Sequence, residues 1–136
     1  MKCYLNVVNT YNNFFSDYIK KIHINSISGE LGIYSGHSPL LTIIQPGPLC
    51  IFRDNKKIKY FYISGGILEV QPDHISILSD IVINHDNLCF KKLLQEKIFI
   101  GNKIKFLQYS KSYKLKKTLL EINAKLKVLE IVKKYS

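Results

Sequence analysis

The sequence predicts a β plus α chain, with many short strands up to about Asn84 and a two-helix hairpin from His85 onward, dividing it into units 1–84 and 85–136. Three observations carry this. From Tyr4 to about Ile83 short apolar runs alternate with turn residues, the texture of strands. Beyond Ile83 the turn signals fade, and Leu115, Leu119, Ile122, Leu126 and Leu129 recur at helical spacing. Charge divides at the same place: residues 1–84 hold seven basic and six acidic side chains, whereas 85–136 holds thirteen lysines against four acids.

Taken in order, Ile22 and Ile24 alternate with polar neighbours as in a half-buried strand. The run Leu49 to Phe52, the turn Arg53-Asp54-Asn55-Lys56 and the run Ile58 to Ile63 read as a hairpin. So do Gly66 to Val70, the turn Pro72-Asp73 and His74 to Leu78. Strands at this spacing suggest a sandwich or a flattened barrel. Asn84-His85-Asp86-Asn87 ends them, and Asp86 or Asn87 is expected to N-cap a first helix from about Leu88, weakened at Gly101-Asn102. Ser110-Lys111-Ser112 is expected to link and cap a second helix, Tyr113 to Lys134. That helix carries a second apolar stripe, Leu120, Ala124, Val128 and Ile131, which needs the β unit or a partner to cover it.

With 46% hydrophobic residues the chain can bury a core. No apolar run approaches the ~20 residues of a membrane helix, and Asn6, Asn9, Asn12 and Asn13 interrupt any signal-peptide core, so the chain is expected to stay where it is made. Cys3, Cys50 and Cys89 are too scattered for a zinc site or a disulfide framework and read as free thiols. His23, His37, His74 and His85 form no metal motif, Ser64-Gly65-Gly66 is no nucleophile elbow, and Gly29, Gly32 and Gly36 read as turn glycines. No catalytic residue, metal site or cofactor is therefore expected. A net charge of +10 invites a lysine-rich nucleic-acid-binding module as the alternative, but Arg53 is the single arginine among twenty basic residues, and arginine is the usual reader of bases.

Two runs carry more than physics. Ser28 to Leu41 reads Ser-Gly-Glu-Leu-Gly-Ile-Tyr-Ser-Gly-His-Ser-Pro-Leu-Leu, and Tyr62 to Pro72 reads Tyr-Ile-Ser-Gly-Gly-Ile-Leu-Glu-Val-Gln-Pro. Both resemble signature stretches of the epsilon subunit family of bacterial F-type ATP synthases. Tyr4 to Val8 and Lys127 to Lys134 also look like the proteobacterial form.

The resemblance implies an N-terminal antiparallel β-sandwich followed by a C-terminal helical hairpin. It implies a non-catalytic rotor subunit at the foot of the central stalk of a proton-translocating enzyme, on the cytoplasmic face of the inner membrane. Its partners would be the gamma subunit, the ring of c subunits and the catalytic beta (and alpha) subunits, with no nucleic acid and membrane association only through the complex. Glu30 falls at the family's c-ring-facing position, and His37 and Thr42 at its gamma-facing positions. The hairpin would fold on the sandwich or extend along gamma to inhibit ATP hydrolysis. Lys116, Lys127 and Lys134, separated by 11 and 7 residues, return to nearly one helical angle and would face an acidic loop of beta. There are departures: Ser35 stands where a proline is common. The family's ATP-sensing pattern, Ile/Leu-Asp-x-x-Arg-Ala, is broken by Cys89, Lys92 and Leu93.

Overall fold

The computed structural model describes residues 2–107 and 109–135, the side chains of 109–111 excepted. Among them nine strands precede two helices: β1 (Cys3–Val8), β2 (Asn13–Ile19), β3 (Lys21–Ser26), β4 (Gly29–Tyr34), β5 (Leu40–Phe52), β6 (Lys59–Ile63), β7 (Gly66–Gln71), β8 (His74–Leu78) and β9 (Val82–Asn84). A 3-10 turn at His85–Asn87 leads into α1 (Phe90–Ile104) and α2 (Tyr109–Tyr135).

The strands form one sheet in the order β2-β1-β8-β7-β5-β3-β4, with β6 paired to β5 and β9 to β6. β5 belongs to both halves, since Leu40–Ile44 pairs with β7 and Gly47–Ile51 with β6. Between these stretches Pro46 has no N–H to donate, and the register against β3 slips between Ile24 and Ser26. The sheet curls there into a sandwich. Both hairpins read from the sequence are present, the first turning through Asn55 at φ 54 and the second pairing Gln71 with His74. Pairing is antiparallel except between β1 and β8, which run parallel. Those two strands lie far apart in sequence, so no tight turn fixes their sense.

Alternation decides the core. Cys3, Leu5 and Val7 of β1, Leu68 and Val70 of β7, and Ile75 and Ile77 of β8 point inward with no exposed surface. They meet Ile22, Ile33, Leu49, Ile51 and Phe61 from the other half.

Several local expectations are corrected. Asp86 and Asn87 do not cap α1: Asn84 Oδ1 accepts from the Asp86 amide and caps the 3-10 turn, while Cys89 is the N-cap residue of α1 with no side-chain bond. The backbone had already turned before the helix began. α1 continues through Gly101 to Ile104, because its buried side chains outweigh the ~1 kcal/mol weakness of one glycine. α2 begins at Tyr109, so Ser110-Lys111-Ser112 is helical and not a link. The capping part of that expectation falls on Ser110 and Lys111, which lie outside the described side chains, and on Ser112, which is a buried residue within the helix. Gly32 is a strand residue against the His23 ring, whereas Gly29 and Gly36 turn the chain at positive φ.

The two apolar stripes of α2 explain its layer. Leu115, Leu119, Ile122, Leu126 and Leu129 pack against Leu93, Ile100 and Ile104 of α1. On the other side Ala124, Val128 and Ile131 pack on Cys50, Tyr60 and Tyr62 of the sheet. α2 is thus a middle layer, with α1 outside it.

Candidate functional site

Two surfaces stand out. The first is the outer face of the β5–β7–β8 half-sheet. Because Leu68 and Val70 point inward, their neighbour Ile67 points outward, and cross-strand register sets it between Ile43 and Leu78. Ile27 adjoins the row, its amide donating to the Ile43 carbonyl at 3.0 Å. These four side chains are 48–57% exposed, with Leu41 and Ile81 beside them more than half exposed. Scattered apolar residues are ordinary on a surface, but a row crossing three strands is the kind of patch that marks an interaction site.

The second surface is the seam beneath α2. Val128 has no exposed area, and Cys50 and Tyr62 lie under it almost completely covered. Lys125 stands over the Tyr62 ring at 5.3 Å, and His85 meets the Tyr60 ring edge-on at 5.7 Å. Toward β3 and β4 the seam opens into a groove of about 690 Å³, floored by Pro48, Cys50, Phe52 and Tyr60. Glu30, Lys21 and His23 line its sheet side, and Lys127, Glu130 and Lys134 its helix side. Among the described residues no cluster of His, Cys, Asp or Glu could hold a metal ion, and no helix is long and apolar enough to cross a membrane.

Residues 2–85 match the family described as ATP synthase, Delta/Epsilon chain, beta-sandwich domain. The chain belongs to the ATP synthase delta/epsilon chain family. This is a family of non-catalytic stalk subunits. Two solved structures are similar to this delta/epsilon chain over nearly its whole length. One is a chain of the Euglena gracilis mitochondrial ATP synthase, solved as OSCP/F1/c-ring in rotational state 1. It has 17% identity and a TM-score of 0.77, covering 97% of this chain and 79% of that one. The other is a chain of the Tetrahymena thermophila mitochondrial ATP synthase central stalk/c-ring. It has 15% identity and a TM-score of 0.66, covering 93% and 96%. At these identities the likeness is one of fold.

Within the delta/epsilon chain, the residues singled out from sequence occupy different places. Glu30 is exposed on β4 opposite Asn25. His37 is in the β4–β5 loop, its Nδ1 2.7 Å from the Ser38 carbonyl. Thr42 shares the strand face of Leu40 and Ile44 and pairs with buried Leu68, so the outward positions beside it are Leu41 and Ile43. Lys116, Lys127 and Lys134 are all exposed on α2, but only Lys127 and Lys134 border the groove, which brings them to the same cleft as Glu30. Where the ATP-sensing pattern breaks, Cys89 and Lys92 are exposed while Leu93 is buried against α2. Leu93 thus serves packing of the hairpin.

Sequence reasoning missed the apolar row. Its signal was present: Ile67 and Leu68 in β7, and Ile43 and Ile44 in β5, are apolar at both parities, which a strand with one wet face does not need.

Burial also tunes the seam. It pushes the Cys50 thiol from 9.0 up to about 11. Burial, and then the Glu121 carboxylate, push the Tyr62 phenol from 10.0 up to about 12. Both groups are neutral in the docked form, so their contribution to docking is fully present below about pH 9 and is lost as pH rises through 11 and 12. Alkaline titration of tyrosinate absorbance is expected to show a late component near pH 12. Ionisation of all tyrosines together near pH ~10 would contradict the burial.

Proposed function

We propose that this delta/epsilon chain is the epsilon-type rotor subunit of a bacterial proton-translocating F-type ATP synthase, bound at the cytoplasmic face of the inner membrane through the complex alone. The observation that carries the reading is the apolar row Ile27, Ile43, Ile67 and Leu78 on a chain of this family. It is the surface offered to the gamma subunit; His37 would meet gamma from the β4–β5 loop, and Thr42 lies next to Ile43 on β5 with its side chain on the opposite face. Glu30 at the start of β4 faces the polar loops of the c-ring. Coupling of the catalytic sector to the ring follows from holding both partners at once.

The hairpin supplies regulation in this reading. Docked on the sheet, it leaves ATP hydrolysis free. Extended along gamma, it brings Lys116, Lys127 and Lys134 against acidic residues of the catalytic beta subunit and blocks hydrolysis. Two of these lysines border the groove against the sheet when docked, so docking and extension compete for the same helix flank. Each exposed pair contributes about 0.2–1 kcal/mol, so three together shift the extended fraction several-fold.

The test uses the assembled enzyme. Cysteines at positions 30 and 37 are expected to cross-link to c and to gamma respectively. Reversal of the three lysines to glutamate is expected to raise ATP hydrolysis toward the level of a hairpin deletion, with assembly intact. Cross-links to neither partner would remove the rotor assignment. Activation by the deletion but not by the triple substitution would leave the regulatory role with the apolar stripe instead of the lysines.

A further inference from the structure

The β unit is electrically polar along its length. Strand directions sort its loops into two ends. One end gathers Lys2, the β2–β3 corner, the β4–β5 loop, the β5–β6 turn and the β7–β8 turn, as the pairs Cys3–Ile19, Lys21–Phe52 and Ile51–Lys59 establish. The Gly36 amide donating to Pro72 and the Tyr4 amide donating to Asp73 tie the remaining loops to that end. All seven basic residues of 1–84 lie there: Lys2, Lys20, Lys21, Arg53, Lys56, Lys57 and Lys59. Asp17, Asp54 and Asp73 accompany them, and Asp17 is taken by Arg53 at 3.4 Å. Glu30 and Asp80 belong to the opposite end, where the loops of the β unit carry no lysine or arginine.

Like charges gathered at one end repel one another, and a fold has no need of the arrangement. Lys2, Lys20, Lys56 and Lys57 are exposed, and Lys2 and Lys21 keep their ammonium groups over the Tyr18 and Tyr34 rings at 5.6 and 5.4 Å. We propose that this lysine end is a docking surface for a carboxylate-rich segment of a partner protein, approaching from the side away from Glu30. Two features favour carboxylates over phosphates. Four of the cations, Lys2, Lys20, Arg53 and Lys56, line one cleft, but Asp17 and Asp54 line it too and disfavour a compact dianion, while Lys21, Lys57 and Lys59 lie outside that cleft and extend the positive surface as a segment needs. Six of the seven are lysines, separate point charges that impose no bidentate geometry on the partner. The inference does not depend on the rotor assignment and is tested on the isolated full-length chain.

The probe is a poly-glutamate peptide, with tripolyphosphate and a single-stranded oligonucleotide as competitors. Binding to the wild-type chain is expected to weaken about tenfold in Lys20→Glu/Lys56→Glu/Lys57→Glu. It should change less than about twofold in Lys91→Glu/Lys92→Glu/Lys97→Glu, which makes the same change of net charge on α1. Equal losses in both variants would mean diffuse attraction by a basic chain. Tighter binding of either phosphate competitor, with the same dependence on Lys20, Lys56 and Lys57, would make the surface a phosphate site. Either result, or no binding of the peptide, overturns the proposal.

Discussion

Replacing Val128 by aspartate is expected to detach the hairpin from the sheet while leaving α1 and α2 packed on each other. Val128 has no exposed surface and touches the cluster of Cys50, Tyr60 and Tyr62. The substitution removes about 1.5–3 kcal/mol of burial and forces a carboxylate into an apolar seam with nothing to satisfy it, a further cost of several kcal/mol. The α1–α2 contact lies on the opposite face of α2, through Ile122 and its neighbours, and is untouched. Cys50 reports the outcome. It is buried beneath α2, whereas Cys89 is exposed and Cys3 is buried in the sandwich core. Alkylation of Cys50 should quicken by about tenfold or more, with Cys89 unchanged and Cys3 still protected. Leu120 belongs to the same sequence stripe but is 68% exposed and outside the cluster. Leu120→Asp should therefore leave Cys50 protected. Similar Cys50 reactivity in wild type and Val128→Asp would show that this contact does not hold the seam.

The second large effect is expected at Gly66, inside the signature run Tyr62 to Pro72. Its φ is +148, which side-chain-bearing residues rarely adopt, and a Cβ there would stand 2.0 Å from the Leu78 carbonyl oxygen and 3.0 Å from Ser79 Cα. Both obstacles are backbone, at the last residue of β8 and the one after it, so no rotamer change relieves them. Gly66→Ala must part β7 from β8 at the Ile67–Leu78 pair and is expected to cost about 3–5 kcal/mol. That is a large share of a small domain's stability of about 5–15 kcal/mol. Gly32 is the comparison: its φ is ordinary and a Cβ would meet the His23 ring at 3.5 Å, so Gly32→Ala should cost less than about 1 kcal/mol. Urea unfolding midpoints separate the two. Equal, small losses would mean that β7 and β8 can shift apart freely.

The sequence made the hairpins and the α1–α2 seam readable because each rests on local periodicity. It was also readable that a second stripe on α2 needed a surface, but not which surface. The answer was encoded in β5 and β6. Leu49-Cys50-Ile51 and Tyr60-Phe61-Tyr62-Ile63 are buried at every position, one parity in the sandwich core and the other under α2. Unbroken apolar runs in strands otherwise expected to alternate are the sign of a covered second face. What lay beyond reach was long-range. Nothing in sequence sets Glu30 in one cleft with Lys127 and Lys134, or gathers cations from the N-terminus, one corner and one turn at one end of the sandwich. Local turn chemistry misled at Asp86 and Asn87, because Asn84, a strand residue, was the one placed to cap.

The proposed rotor role requires the apolar row to bind the gamma subunit. The most direct measurement is recovery of the ATP synthase gamma subunit with affinity-tagged full-length chain from cell membranes. The wild-type chain should retain gamma. Ile43→Asp/Ile67→Asp, which changes two exposed side chains, should lose it by about tenfold or more without a change in melting temperature, and Leu120→Asp should keep it. Failure of the wild-type chain to recover gamma, or full recovery by the double aspartate variant, would contradict the account.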